Sequence, residues 1–409
     1  MPWSEWDRMS LREEFVRLAS NEGTEMSELC RRFGISRKTG YKWRKRYQQE
    51  GRGGLADRSR EPKSKPTQTR LEMEERIVEV RAAHRAWGGR KIRRWLVDRG
   101  VEEVPAASTI TEVLRRHDRI NEVASQRAKP MIRFEHPEPN DLWQMDFKGH
   151  FPMTGGGRCH PLTVLDDHSR FALALRACGN ERGEMVRQEL TRIFRLYGLP
   201  RGMLMDNGSP WGCNEPHGHT PLGVWLMEQG IRVTHGRPYH PQTQGKDERF
   251  HRTLKAELLQ GREFANLVET QDQFDPWREM YNNERPHEAL DLSVPVSRYQ
   301  VSARSFVEQP EAWDYGPGAE TRSVQDKGYI SYQGFKIVVG KSFRGRRVGL
   351  RPLDADGKYE VYICQTCVCE IDLREGQRPA VGNELRSLRS LSSLPTAGRE
   401  PVTYVSEHL

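Results

Sequence analysis

The chain has 409 residues, 35% of them hydrophobic, and a mean hydropathy of −0.81. These values suit a polar protein of two to four domains, and no run of about eighteen apolar residues offers a membrane span. The net charge of +8 is uneven: residues 1–130 hold 30 Lys+Arg against 20 Asp+Glu, or +10, which leaves −2 for residues 131–409. Arg31 to Arg70 alone has 14 basic and 3 acidic residues, a density that suits a polyanion better than a metabolite, so nucleic acid is the expected partner. Seven scattered cysteines do not make a disulfide framework. The opening MPWSEWDRMS lacks a basic start followed by an apolar core, and a cytoplasmic location is expected.

Residues 10–60 read as helices: LREEFVRLAS, EMSELCRRFG and, after a turn at Gly34-Ile35, SRKTGYKWRKRYQQEG. Ser36 is placed to cap a helix bearing Arg37, Lys38, Lys42, Arg44, Lys45 and Arg46, so domain 1–60 reads as a helix-turn-helix whose last helix is built to enter a major groove. A Pro-, Ser- and Lys-rich linker spans 61–69. Within 70–136, RLEMEERIVEVRAAH, GGRKIRRWLVDRG and ASTITEVLRRH repeat the plan, with Ser108 as the expected N-cap. Two such modules on a flexible tether would lengthen the DNA site and raise avidity.

From 137 to 300 the pattern becomes mixed. NDLWQMDFKGHF, RCHPLTVLDDHS and RFALALRAC read as strands, ERGEMVRQELTRIFRLYG as a helix, RGMLMDNG as a strand ending in a tight turn, GVWLMEQG as a helix and IRVTHGRP as a fifth strand. A helix from about Gln244 to Gly261 closes the set. This is a mixed α/β sheet with helices on both faces. Residues 301–375 carry short β-rich runs joined by Gly and Asp-Gly turns, the pattern of a small β-barrel, and 376–409 read as a mobile tail. Cys364, Cys367 and Cys369 read as strand residues and not as a metal site, since a strand period sends Cys364 and Cys367 to opposite faces.

Asp146 in WQMDF sits in what reads as a buried strand, where a carboxylate is costly unless paired, protonated or bound to a cation. Asp206 in MLMDNG falls where an apolar strand meets a turn, and Glu248 lies early on the last helix. If the strands of Asp146 and Asp206 are neighbours under that helix, three carboxylates converge and need cations between them. All-oxygen ligation suits Mg²⁺ or Mn²⁺, and two such ions serve an in-line phosphoryl displacement on DNA. Asp247 lies about 100° from Glu248 round the helix, so only one of them can face the ions. Asp166 and Asp167 read as structural partners of Ser169 and Arg170.

LWQMDF, LTVLDDHSRF, LMDNGSPW, YHPQTQGKDERFHRTLK and YNNERPHEAL together resemble the integrase core of bacterial insertion-sequence transposases, which are DDE recombinases related to retroviral integrases. The resemblance implies an RNase H-like fold for 137–300, two Mg²⁺ or Mn²⁺ ions, and cutting and joining of transposon ends. It also implies a homo-oligomer, dimer or tetramer, on double-stranded DNA. It assigns the acids to Asp146, Asp206 and Glu248, selecting Glu248 over Asp247. Gln244, Arg252 and Lys255 share the Glu248 face, where the resemblance implies contacts to terminal nucleotides, and Lys246 is counted with them as a DNA contact. The 41 residues between Asp206 and Glu248 exceed the family's usual interval, and the excess falls in GCNEPHGHT, which reads as a surface loop.

GFKIVVGKS has five residues between its glycines where a phosphate loop needs four, so no ATP use is expected. GSPWG is not a nucleophile elbow. The rival readings are a DNA-binding regulator with an inactive core and an RNase H-type nuclease acting on RNA.

Overall fold

The computed structural model describes residues 5–58, 68–120, 133–212, 219–236, 245–374 and three short strands beyond. Most of the expected linker and tail, the greater part of the GCNEPHGHT loop, and Gln244 lie outside the described residues. The chain divides into two compact units, Met1–Gln68 and Thr69–Leu409.

The first unit holds α1 (Glu5–Ala19), α2 (Met26–Arg32) and α3 (Arg37–Glu50), packed around Phe15, Val16, Leu29, Cys30 and Trp43. Ser36 caps α3 as expected, accepting the Thr39 amide at 3.2 Å. Gly40 lets α3 approach its neighbours: a Cβ there would meet Cys30 Sγ at 2.5 Å and Phe15 Cζ at 2.8 Å. Arg37, Lys38, Lys42 and Lys45 are exposed and Arg44 is half-buried. Lys42 and Arg12 lie over the Trp43 ring at 4.2 and 4.1 Å, which anchors the buried indole between two cations.

The second unit opens with α4 (Leu71–Ala83), α5 (Gly89–Asp98) and α6 (Ala107–Arg116), which bury Ile77, Trp87, Ile92, Leu96, Ile110 and Val113. Ser108 does not cap α6. The helix starts at Ala107, directly after an extended Ala106 that holds the cap position without a side-chain bond. This module is also seated on the central region. Arg99 stacks on Trp95 at 3.7 Å and reaches Glu284 of the central region at 2.5 Å, while Met280 packs against the module's own core.

The central region follows, with β1 (Arg133–Glu135), β2 (Leu142–Phe147), β3 (Phe151–Pro152), β4 (Arg158–Asp166), β5 (Ala172–Cys178), α7 (Gly183–Tyr197), β6 (Gly202–Met205), α8 (Pro221–Glu228) and β7 (Arg232–His235). The strands lie in the order β5-β4-β2-β6-β7, with β3 extending the β2 edge of β4. β2, β4 and β5 are antiparallel, and β6 and β7 join in parallel, which is the expected mixed sheet. Strand alternation assigns the two faces. Trp143, Met145, Leu162 and Val164 bury against α7 and α8 with Leu190, Phe194 and Trp225. Leu165, Leu175 and Ala177 bury on the other face against α9 (Gly245–Leu254), a π-helical turn (Lys255–Leu259) and α10 (Leu267–Asn283).

The sequence reading runs the Glu248 helix to about Gly261 and names no helix after it within 137–300. The α-helix stops at Leu254, and α10 adds a further layer over β5. Pro276 inside α10 masks its helical pattern, although its Asn266 cap accepts the Glu269 amide at 3.0 Å and Phe274, Trp277 and Tyr281 recur at helical spacing.

The C-terminal strands are β8 (Glu320–Ser323), β9 (Tyr329–Tyr332), β10 (Phe335–Val338), β11 (Arg347–Pro352), β12 (Lys358–Ile363), β13 (Thr366–Asp372), β14 (Glu384–Leu385), β15 (Arg389–Ser390) and β16 (Thr403–Val405). They form the sheets β14-β10-β9 and β15-β13-β12-β11-β8, and β16 pairs with β1. Among the described residues the expected barrel is not closed. A barrel needs its first and last strands bonded, and glycine turns specify hairpins without specifying that closure. Both sheets share a core, including Ile330, Ile337, Val348 and Val361, which takes in Val224 and Met227 of α8. Cys364 sits in the turn between β12 and β13 at φ 49 and not in a strand, while Cys367 and Cys369 are on β13.

Candidate active site

With Met145 turned toward α7, its neighbours Gln144 and Asp146 face α9. Asp146 lies directly across from Thr163 of β4. Asp206 follows β6, the parallel neighbour of β2, so it stands at a strand's carboxyl end as expected. The Gly208 amide donates to its carboxylate at 3.0 Å, and His235 Nδ1 donates to its carbonyl at 2.8 Å, which fixes the strand end.

Burial, and then the charge of Asp206, push the Asp146 carboxyl up to about 7, against a smaller opposing pull from the Phe147 amide. Asp206 is itself raised by burial. Glu181, just before α7, raises both. It is hydrogen-bonded to His160 at 2.7 Å and belongs to the same electrostatic group, a neighbour that no motif in the sequence marked.

Helix α9 turns Asp247, Phe250 and Leu254 inward and leaves Glu248, Arg252 and Lys255 exposed. Asp247 is 1% exposed, and among the described residues neither carboxylate oxygen has a hydrogen-bond partner. Burial first, and then Asp146 and Asp167, raise it well above the usual carboxylate range, so it is held neutral. Lys246 is also turned inward, its ammonium paired with Asp167, and burial followed by Arg170 lowers it to about 8. Asp166 accepts the Ser169 hydroxyl at 2.5 Å and the amides of Ser169 and Asn140 at 2.8 Å. Asp167 accepts Gln144 at 2.7 Å and the His136 amide at 2.9 Å, and Lys246 and Arg170 keep it ionised against its burial. Both acids are structural, as their sequence context suggests. Among the described residues no three His, Cys, Asp or Glu side chains are close enough to hold a metal ion. Asp146 and Asp206 are brought together, and Glu248 stands on the outer rim of α9.

Residues 11–63 match a helix-turn-helix domain and 39–114 a homeodomain-like domain. Residues 136–241 and 229–295 match integrase core domains, and 319–379 match the C-terminal domain of IS481 family transposases. An uncharacterized protein of insertion element IS407 from Burkholderia multivorans is 26% identical over 175 residues, covering 43% of this chain and 60% of that protein. One from insertion element IS476 of Xanthomonas euvesicatoria is 24% identical over 251 residues, covering 59% and 68%. The Gag-Pro-Pol polyprotein of squirrel monkey retrovirus is 35% identical over 122 residues, covering 29% of this chain and 6% of the polyprotein. Among solved structures, a simian T-cell lymphotropic virus intasome aligns at 14% identity and TM-score 0.37, covering 71% of this chain and 93% of that one. The HTLV-2 integrase catalytic core domain in complex with magnesium aligns at 13% and 0.31, covering 41% and 100%. Scores this low carry no weight beside the domain matches. Those matches run in order along the chain and, with the insertion-element relatives, of the first of which the chain spans 60%, they support an insertion-sequence, integrase-like transposase.

Proposed function

We propose that the chain binds the ends of its element through its helix-turn-helix domains and cuts and joins DNA strands at a divalent-metal site formed by Asp146, Asp206 and Glu248. The observation that carries this reading is the Asp146–Asp206 pair. Two partly buried carboxylates stand on neighbouring strands, both raised by burial and Asp146 further by the charge of Asp206, and such a pair gains most from a shared cation. Their all-oxygen donor set fits Mg²⁺ or Mn²⁺. Glu248 completes the set when its side chain turns in from the rim of α9. Two bound ions would supply the charge that activates an attacking oxygen and stabilises the departing one.

The protein's own residues have separate roles. The exposed Arg37, Lys38, Lys42 and Lys45 hold phosphates of the end sequence, with Arg44 beside them. Arg252 on α9 and Lys255 in the π turn that follows extend a basic face from Glu248 toward the strand being cut. Lys246 holds Asp167 and through it the start of the helix. Two ends handled together call for a homo-oligomer on DNA.

The test is nicking and strand transfer on a supercoiled plasmid carrying element ends, in Mg²⁺. Asp146→Asn, Asp206→Asn and Glu248→Gln should each abolish both reactions while leaving end binding within about threefold, since none of them lies on the reading helices. Near-normal cleavage by any one variant removes that residue from the site. Cleavage without strand transfer by the wild type favours the nuclease reading, and binding with neither reaction favours the regulator.

A further inference from the structure

One carboxylate outside the proposed metal set joins the strand of Asp146 to the helix of Glu248. Asp167 is 2% exposed and follows directly on β4, in the turn that leads to β5. Asp166 secures that turn by accepting the Ser169 hydroxyl and the amides of Ser169 and Asn140. From this seat Asp167 reaches three segments. Its amide donates to the Leu142 carbonyl of β2 at 2.9 Å, and its Oδ1 accepts the Gln144 side-chain amide of the same strand at 2.7 Å. Its Oδ2 accepts the His136 amide at 2.9 Å. Lys246 of α9 pairs with Oδ1 and donates to the Asp167 carbonyl at 3.2 Å. Gln144 is two residues before Asp146 on the same strand face, and Lys246 is two residues before Glu248, so both arms of this clasp end beside a proposed ligand.

The clasp matters because the apolar grip on α9 begins later. Its buried apolar side chains are Phe250 and Leu254, the first of them more than a turn past Gly245. In the first turn the inward side chains are Lys246 and Asp247, and the Asp247 carboxyl has no hydrogen-bond partner among the described residues. The Lys246–Asp167 pair is therefore the polar contact that ties this turn to the sheet. A helix with its side chains is about 5–6 Å in radius, so turning it by about 20° moves a rim side chain by about 2 Å, the length of a Mg²⁺–oxygen bond. We propose that Asp167 is a positioning residue: through Lys246 it holds the first turn of α9 at one rotation on β2, and so sets where the Glu248 carboxylate meets an ion held by Asp146 and Asp206. The inference rests on the metal site proposed above, and it gives Lys246 a task within the protein in place of a DNA contact.

Stability and position can be tested apart. Binding of Mn²⁺ alone to the full-length protein, followed by electron paramagnetic resonance, is measured for wild type, Lys246→Met, Asp167→Asn and the double variant, at a temperature where the unfolding curve of each shows it folded. Either single change leaves a buried charge without its partner and should lower the melting temperature, whereas the double variant removes both charges and should regain it. Mn²⁺ affinity should not follow stability: all three variants should bind about tenfold more weakly than wild type, the lower end of what supporting residues contribute at metal sites. Glu248→Gln should weaken the wild type by a similar factor and the double variant by less than about twofold, because residues that act through one another are not additive. A role in stability alone would return the double variant to wild-type affinity. That result, or the same loss from Glu248→Gln in both backgrounds, overturns the inference. Asp146→Asn is the separating control. If neither it nor Glu248→Gln alone weakens Mn²⁺ binding, the metal assignment has failed and the inference with it; if both weaken it while the double variant binds as wild type does, only the inference about Asp167 has.

Discussion

An acid that is useful to a metal site should be a burden to the same protein without metal, and Asp146 allows that burden to be sized. Its carboxyl titrates near 3.8 in an unfolded chain and is pushed up to about 7 here, by burial and then by Asp206. Below 3.8 both states hold the proton and there is no penalty. Between 3.8 and 7 the unfolded chain releases its proton while the folded one keeps it, so stability falls as pH rises, and above 7 the loss is complete. At about 1.36 kcal/mol per pH unit the interval is worth on the order of 4 kcal/mol. Asp146→Asn keeps the shape and removes the charge. In EDTA it should unfold several degrees above wild type at pH 8 and close to wild type at pH 4, as read by differential scanning calorimetry. Added Mg²⁺ should raise the wild-type transition and leave the variant's in place. An equal difference at both pH values, or a less stable variant at pH 8, would refute the reasoning, because the penalty would then not come from ionisation.

Three further outcomes follow from single contacts. Glu257→Ala should cost about 3–5 kcal/mol in chemical denaturation because it strands Arg285, the 2.9 Å partner in a pair only 3% and 7% exposed, whereas Glu257→Leu with Arg285→Met should be near neutral. Gly40→Ala ordinarily favours a helix by about 1 kcal/mol, yet here the new methyl would press on buried Cys30 and Phe15, so a net loss of about 1–3 kcal/mol and weaker end binding are expected in melting and gel-shift assays. Lys255→Ala should lower the slope of log K against log salt for end binding by about 0.9, with Mn²⁺ affinity unchanged; an unchanged slope would mark Lys255 as solvated charge.

The strands and most helices of the central region were legible because their signals are local. WQMDF alternates, MLMDNG ends in a turn, and the Ser36 cap opens a basic helix. Asp146 and Asp206 were legible for a different reason, since a charged residue inside or at the end of an apolar strand needs an explanation. What stayed hidden depends on contacts between distant segments. Glu181 reaches the site only because the loop after β5 brings it beside two other strands. Met280 and Glu284 give α4–α6 a seat that no feature of the 70–120 sequence announces. Likewise, glycine turns in 325–373 fix hairpins, but whether the last strand meets the first depends on twist and register over the whole sheet. The 100° rule separated Asp247 from Glu248, yet it could not say that the inward position would hold an acid with no hydrogen-bond partner among the described residues.

The seat of the second module bears on how reading and cutting are linked. Its α5 presents one row to the central region: Arg99 to Glu284, Trp95 beneath Arg99, and Lys91, which burial holds to about 8 near Arg285, Glu257 and Glu288. Glu257 lies in the π turn that directly continues α9, and Arg285 follows α10. The same buried pair therefore fastens the end of the Glu248 helix and lies beside the docked module. With α5 occupied in this way, α6 keeps Ser108, Glu112, Arg115 and Arg116 exposed, the face a helix-turn-helix offers to a groove. A DNA segment read by α6 would then lie at an offset from Asp146 that this contact fixes.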